Sequence, residues 1–273
     1  MDLGLTGRSV VITGGSRGIG LAIAEGFARE GANLALCARG QAGLDAAAET
    51  LRGHGVDVFT QACDVVDPDA LKAFVDAAAA HLGGIDVLVN NPSGFGRTND
   101  ETGWKLGIDV DLMGVVRGTW AAVPYLQKSP APAIINTASI SGIGASGNIA
   151  YGAVKAAVIQ LTQGHAIALA DDKIRVNCIA PGSIEFPGGV WDDAFKNNRQ
   201  RYDSTLARIP FGRMGKPEEV ASLAVFPWCI AGKLDHRANY FGRRRPITGP
   251  LLTPLFLFFE PQEQGDDRKR IYP

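Results

Sequence analysis

The sequence predicts a single α/β domain built on a doubly wound parallel sheet, and three observations predict it. Short β-branched or leucine-rich runs alternate with longer alanine-rich stretches through the first two thirds of the chain, as a parallel sheet with crossover helices requires. Most of the short runs are apolar at nearly every position, the pattern of strands covered on both faces. A glycine-rich turn joins the first short run to the first alanine-rich stretch, as in a strand that feeds directly into a helix.

In chain order, the expected strands are Ser9 to Thr13, Asn33 to Cys37, Val56 to Ala62, Asp86 to Asn90, Ala133 to Thr137 and Arg175 to Ala180. The helices expected between and after them are Gly18 to Glu30, Gln41 to Arg52, Pro68 to Leu82, Glu101 to Gln127, Ala150 to Ala170 and Pro217 to about Val225. Pro68 and Pro217 open their helices, where a proline is tolerated. After Phe226 the alternation is lost, and Pro227, Pro246, Pro250, Pro254, Pro261 and Pro273 interrupt the chain. The expected organisation is a dinucleotide-binding domain over residues 1–226, with a substrate lid at about 184–212, and an atypical tail over 227–273.

With 273 residues, 46% of them hydrophobic and 20% charged, the chain can bury a sizeable core. A net charge of -1 removes the bulk attraction on which non-specific binding to nucleic acid or anionic membranes depends. Cys37, Cys63, Cys178 and Cys229 are scattered without a CxxC pair or a nearby histidine at ligand spacing, so neither a metal site nor a disulfide framework is expected. The first residues lack a basic then apolar leader, and no apolar run reaches the ~20 residues that span a bilayer. The run from Leu251 to Phe259 contains Pro254 and is not a membrane helix. A cytoplasmic protein is expected.

Thr13-Gly14-Gly15-Ser16-Arg17-Gly18-Ile19-Gly20 places glycines at 14, 18 and 20 between the first strand and first helix. Glycine lets the backbone turn tightly and approach a pyrophosphate, while the helix N-terminus offers N–H groups and a positive dipole end. In this strand-turn-helix context, Gly14, Ser16, Gly18, Ile19 and Gly20 are candidate dinucleotide contacts in a Rossmann-type sheet. A carboxylate at the end of the second strand would bond the ribose 2′-hydroxyl of NAD. Ala38-Arg39 stands there instead, and Arg17 adds a second guanidinium suited to phosphate. NADP(H) is therefore expected over NAD(H), the alternative being that both arginines are solvated surface charges.

Tyr151 and Lys155 sit four residues apart on an expected helix and share one face. A tyrosine hydroxyl ionises near pH 10 and needs about 4 kcal/mol of anion stabilisation to exchange protons near neutrality. A cation about 4 Å away at an effective dielectric of 20 supplies about that much. At this point the chain, over roughly residues 5–226, resembles the short-chain dehydrogenase/reductase family, and within it the 3-oxoacyl-carrier-protein reductases. The glycine turn, Asp64-Val65, Asn90-Asn91, Ser139, Tyr151 with Lys155, and Pro181-Gly182 occur in the family's order. The resemblance implies that Ser139 orients a carbonyl, that Tyr151 is the acid in reduction and the base in oxidation, and that Lys155 also holds the nicotinamide ribose. It further implies that Asp64 and Val65 contact adenine, that Asn91, Pro181 and Gly182 line the cofactor channel, and that Ile184 touches the carboxamide.

Four departures from the family pattern stand out. Asn90-Asn91-Pro92-Ser93-Gly94 replaces the usual NNAG, and the interval from Ser139 to Tyr151 is 12 positions, one shorter than the commonest. Asp111 falls where the family carries an asparagine that anchors a water to the catalytic lysine; when ionised it accepts hydrogen bonds but cannot donate. The usual ending, Ile-Thr-Gly followed by Val-Asp-Gly, is absent. Yet Gly232 to Ala238 can be encoded GGA AAG CTG GAT CAC CGG GCG, which shifted by one base reads Glu-Ser-Trp-Ile-Thr-Gly. Phe241 to Pro246 as TTC GGT CGT CGA CGG CCC gives Ser-Val-Val-Asp-Gly in the same frame. Out-of-frame translation after about Phe226 is the reading this suggests, with loss of the sheet's final strand and weakened assembly as its expected consequences.

His54, His81, His165 and His236 are isolated and are expected in surface or capping roles. Arg243-Arg244-Arg245 reads as a solvated or out-of-frame run in a neutral chain. Ile184 to Trp191, with Phe186 and Trp191, is expected to start a lid with an apolar substrate surface. The sequence thus points to an NADP(H)-dependent oxidoreductase that interconverts a small-molecule ketone, such as a 3-oxoacyl group, and a secondary alcohol. A homodimer or homotetramer is expected unless the tail prevents it, with no nucleic-acid or membrane partner. The rival reading is an NADP(H)-binding protein without turnover.

Overall fold

Alternate residues of the expected strands are apolar toward opposite sides, and the chain folds accordingly. The structure, a computed structural model, describes residues 3–144, 147–229 and 255–257. Six strands, β1 (Ser9–Thr13), β2 (Asn33–Ala38), β3 (Val58–Ala62), β4 (Val87–Asn90), β5 (Ala133–Thr137) and β6 (Arg175–Ala180), run parallel in the order β3-β2-β1-β4-β5-β6. The chain winds outward from β1 to β3, then returns to the middle and winds the other way from β4. This reversal opens a crevice past the carboxyl ends of β1 and β4. Thr13 pairs in register with Cys37 on one side and Asn90 on the other, so the turns after these three residues lie side by side.

One sheet face, carrying Val10, Ile12, Leu34 and Leu36, is covered by α1 (Gly18–Arg29), α2 (Gln41–Arg52) and α9 (Pro217–Cys229) through Ile23, Phe27, Leu44, Leu51 and Ala224. The other, carrying Val11, Ala35, Leu88 and Ile134, is covered by α3 (Pro68–Leu82), α5 (Met113–Leu126) and α6 (Ile149–Ala168). Asp67 caps α3 by accepting from the Asp69 and Ala70 amides, with Pro68 in the first turn. Two short helices, α7 (Val190–Asn197) and α8 (Arg199–Leu206), form the segment expected as a lid and close on their own small core of Ala194, Tyr202, Ile209 and Met214.

Three expectations need correction. Glu101 to Gln127 is not one regular helix: α4 (Glu101–Leu106) passes into a π-helical turn, Gly107–Leu112, before α5. Such widened turns gather at functional sites, and this one carries Asp111 inward to complete burial. His165 is not a surface residue; it shares the buried face of α6 with Val158, Thr162 and Ala166. The edge of β6 is not left bare, because Leu255–Leu257 pairs with it antiparallel as β7. An open edge presents main-chain donors and acceptors that an extended segment of either direction satisfies. The shifted-frame signatures at 232–238 and 241–246, together with His236 and Arg243 to Arg245, lie outside the described residues.

Candidate active site

The glycine turn is shaped by crowding. Gly14 adopts φ 69°, and a Cβ there would come 2.6 Å from the Asn91 carbonyl oxygen. A Cβ on Gly20 would press into the carbonyl of Gly14. Asn91 fixes the turn from the next strand, its Nδ2 donating to the Gly14 oxygen at 3.1 Å. Arg17, the residue that precedes α1, makes no side-chain capping hydrogen bond to the first helical turn. Its guanidinium donates instead to the Gly188 carbonyl at 3.3 Å, and the Phe186 ring lies against Gly18. A turn whose close approaches are made by glycines, a helix N-terminus without a side-chain cap and nearby arginines fit a dinucleotide pyrophosphate.

That turn is one end of a cavity of about 530 Å³. Gly14, Ser16, Arg17, Ile19 and Arg39 line it at the turn; Asp64, Val65 and Asn91 line it after β3 and β4. Ser139, Tyr151, Lys155, Pro181, Gly182 and Ile184 complete the wall. Gly18 and Gly20 lie behind the surface as backbone supports, and Asp111 stands behind Lys155. Asp64 also holds its own loop by accepting from the Val66 amide at 3.1 Å. Phe186, Val190 and Trp191 supply the apolar side expected of the lid.

The candidate catalytic side chains converge because β5 ends at Thr137 beside the start of α6. Ser139 is nearly buried, and its hydroxyl oxygen accepts from the Ser141 amide at 3.2 Å, which leaves its proton to donate. Lys155 is 2% exposed; its ammonium lies 5.7 Å from the centre of the Tyr151 ring and donates to the Thr137 carbonyl at 3.0 Å. The ammonium also meets Asp111 directly, 3.0 Å from Oδ1. The carboxylate accepts two further hydrogen bonds, from Ser93 Oγ at 2.8 Å and the Gly94 amide at 2.7 Å. Burial by itself would draw the Lys155 ammonium down, but Asp111 and then Tyr151 outweigh it and hold the group above the ordinary lysine value. The cation is kept charged beside a phenol in a largely water-excluded corner, the arrangement that proton transfer to a carbonyl oxygen needs.

The sequence profile described as short chain dehydrogenase matches residues 8–192. The chain belongs to the short-chain dehydrogenase family. A 3-oxoacyl-[acyl-carrier-protein] reductase from Thermotoga maritima is 38% identical over 230 residues, covering 81% of this chain and 90% of the relative. L-sorbose reductase from Gluconobacter frateurii, solved with NADPH and L-sorbose, is 36% identical with a TM-score of 0.74, covering 85% of this chain and 92% of its own. NAD+-bound xylitol dehydrogenase superposes with a TM-score of 0.74 at 27% identity, over 82% and 93% of the two chains. This short-chain dehydrogenase is therefore an oxidoreductase that works between CH–OH and carbonyl groups on a small-molecule substrate. Among its described residues, no helix is long and apolar enough to cross a membrane.

Some cavity residues escaped the sequence reading. Arg97 and Phe95 line the cavity from the loop after β4, and Ser93 ties that loop to Asp111. A lone arginine in a loop carries no periodic or motif signal, so only its position beside Tyr151 marks it.

Proposed function

We propose that this short-chain dehydrogenase transfers hydride between NADP(H) and a ketone or secondary alcohol, a 3-oxoacyl group being one candidate, with Tyr151 as the acid or base. The observation that carries the reading is the single cavity joining the glycine cradle to Ser139, Tyr151 and Lys155. The nicotinamide cofactor, when bound, supplies the hydride in reduction or accepts it in oxidation. Ser139 donates its free proton to the carbonyl oxygen and orients it. Tyr151 gives that oxygen a proton in reduction and takes it back in oxidation. Lys155, held charged by Asp111 and already donating to it and to the Thr137 carbonyl, has one N–H left to offer the ribose. Gly14, Ser16 and Ile19 hold the pyrophosphate with Gly18 and Gly20 shaping the turn behind them, Asp64 and Val65 hold the adenine, and Asn91, Pro181, Gly182 and Ile184 the nicotinamide side.

Arg17 and Arg39 on the turn end of the wall support the choice of NADP(H), since two guanidiniums suit a 2′-phosphate. The proposed catalytic unit is residues 1–226, acting in the cytoplasm as a homodimer or homotetramer, with a tail read out of frame after about Phe226. Sequencing the coding DNA tests that last point directly.

The deciding experiment follows NADPH consumption over a panel of ketones and 3-oxoacyl thioesters, with NADH as comparison and Tyr151→Phe alongside. Turnover that the substitution lowers by at least ~100-fold is the expected result. Tight NADPH binding with no turnover on any ketone would overturn the catalytic reading and leave a cofactor binder.

A further inference from the structure

Arg97 stands in the loop between β4 and α4, on the wall of the cavity that holds Tyr151. Its guanidinium carbon lies 5.8 Å from the centre of the Tyr151 ring and 5.2 Å from that of Phe95. The Nε atom is buried and has no hydrogen-bond partner among the described residues. None of the ion pairs among those residues involves Arg97. Burial draws the guanidinium below its ordinary value; Tyr151 opposes this, Arg201 adds to it and Asp111 opposes it. Asp111 is already committed to Lys155, Ser93 and Gly94.

A guanidinium cannot relieve its partial burial by losing a proton, and the faces of Phe95 and Tyr151 offset only part of the hydration it gives up, leaving the Nε–H without an acceptor among the described residues. The loop nevertheless holds it there. Phe95 adopts φ 50°, a left-handed conformation uncommon outside glycine, and is 42% exposed on the cavity wall. The hydrogen bonds from Ser93 and Gly94 to Asp111 anchor the start of the same loop to the ion pair behind the site.

We infer that Arg97 is the anion-binding residue of the substrate subsite and that the substrate is a short oxo acid, or the corresponding hydroxy acid in oxidation, whose carboxylate pairs with this guanidinium. The inference rests on Tyr151 being the group that meets the carbonyl. With the guanidinium carbon 5.8 Å from the centre of the Tyr151 ring, a substrate whose carbonyl meets that side chain and whose carboxylate meets Arg97 is short. A carboxylate matches one planar guanidinium in charge and in its two coplanar oxygens.

The test compares kcat/KM, with NADPH, for matched 2-, 3- and 4-oxo acids and their methyl esters on wild type, Arg97→Gln and Arg97→Lys. The expected result is a wild-type preference for one acid over its ester of about 10- to 100-fold, expressed mainly in KM. Arg97→Gln should collapse that ratio toward one, and Arg97→Lys should restore part of it. NADPH affinity, followed by nucleotide fluorescence, shows that each variant is folded and should stay within about threefold. A wild-type ratio near one, or equal losses on acid and ester, would overturn the inference. So would NADPH affinity lost together with substrate binding, which would assign Arg97 to the cofactor. If no ketone is turned over, the hydride-transfer reading fails by itself. Calorimetric titration of the NADP+-saturated protein with the hydroxy acid then decides the anion site: binding lost in Arg97→Gln supports it, and no binding to wild type overturns it.

Discussion

Replacing Asp111 by Asn removes the charge that accompanies the Lys155 ammonium while keeping a side chain that can accept from Ser93 and Gly94. At the 3.0 Å separation of the pair, with an effective dielectric of 20, the attraction is about 5 kcal/mol. Part of that offsets desolvation of two groups that are 2% and 0% exposed, so the expected loss on removing one partner is about 3 kcal/mol. For a chain of this size the loss lowers Tm by roughly 6–12 °C. The sign of the pH dependence follows from Lys155. Its folded value is raised, so its contribution is fully present below the ordinary lysine value and is lost only as pH climbs through the folded one. In Asp111→Asn, burial acts on the ammonium unopposed by that carboxylate and lowers its value. The gap between wild type and variant is then widest near neutrality and narrows toward pH 10. Urea unfolding of Asp111→Asn, Lys155→Met and the double variant at pH 7 gives the coupling free energy, expected at about 3 kcal/mol. Additivity within ~0.5 kcal/mol would refute the claim that the two groups act as a pair.

Three further outcomes are expected. Arg17→Ala and Arg39→Ala should each weaken NADPH binding by about 10- to 100-fold while changing NADH binding far less, measured by fluorescence titration. Gly20→Ala, whose methyl would press on the Gly14 carbonyl, should raise the cofactor Kd more than tenfold and cost about 1–3 kcal/mol of stability in urea unfolding. Burial lowers the His165 imidazole to about 4. The unfolded chain therefore takes up this proton first, and stability that is full above about pH 6.5 falls as pH drops toward the folded value. About 2 kcal/mol should be lost between pH 7.5 and pH 5, and His165→Gln should flatten that part of the pH–stability curve.

The strands and their order of appearance were readable because a buried parallel strand must be apolar on both sides, and Val10, Val11 and Ile12 show this in three consecutive letters. The glycine turn was readable for a similar reason: positions where a Cβ would strike a carbonyl admit only glycine, so Gly14 and Gly20 record a contact in the sequence itself. Tyr151 and Lys155 were readable because helical spacing fixes their common face. The π-helical turn left no such mark, since its residues differ from those of an ordinary helix only in the hydrogen-bond partner each takes. Nor did the antiparallel return of Leu255–Leu257 onto β6, which depends on an edge being open rather than on a pattern in those residues. Asp111 was visible as an unusual residue, but whether its carboxylate would meet Lys155 directly depended on how that turn is wound. Arg97 is the extreme case. Sequence determines that a cation stands in a loop; only the tertiary structure buries its Nε beside Tyr151 with no carboxylate paired to it among the described residues, and on that the proposed anion site rests.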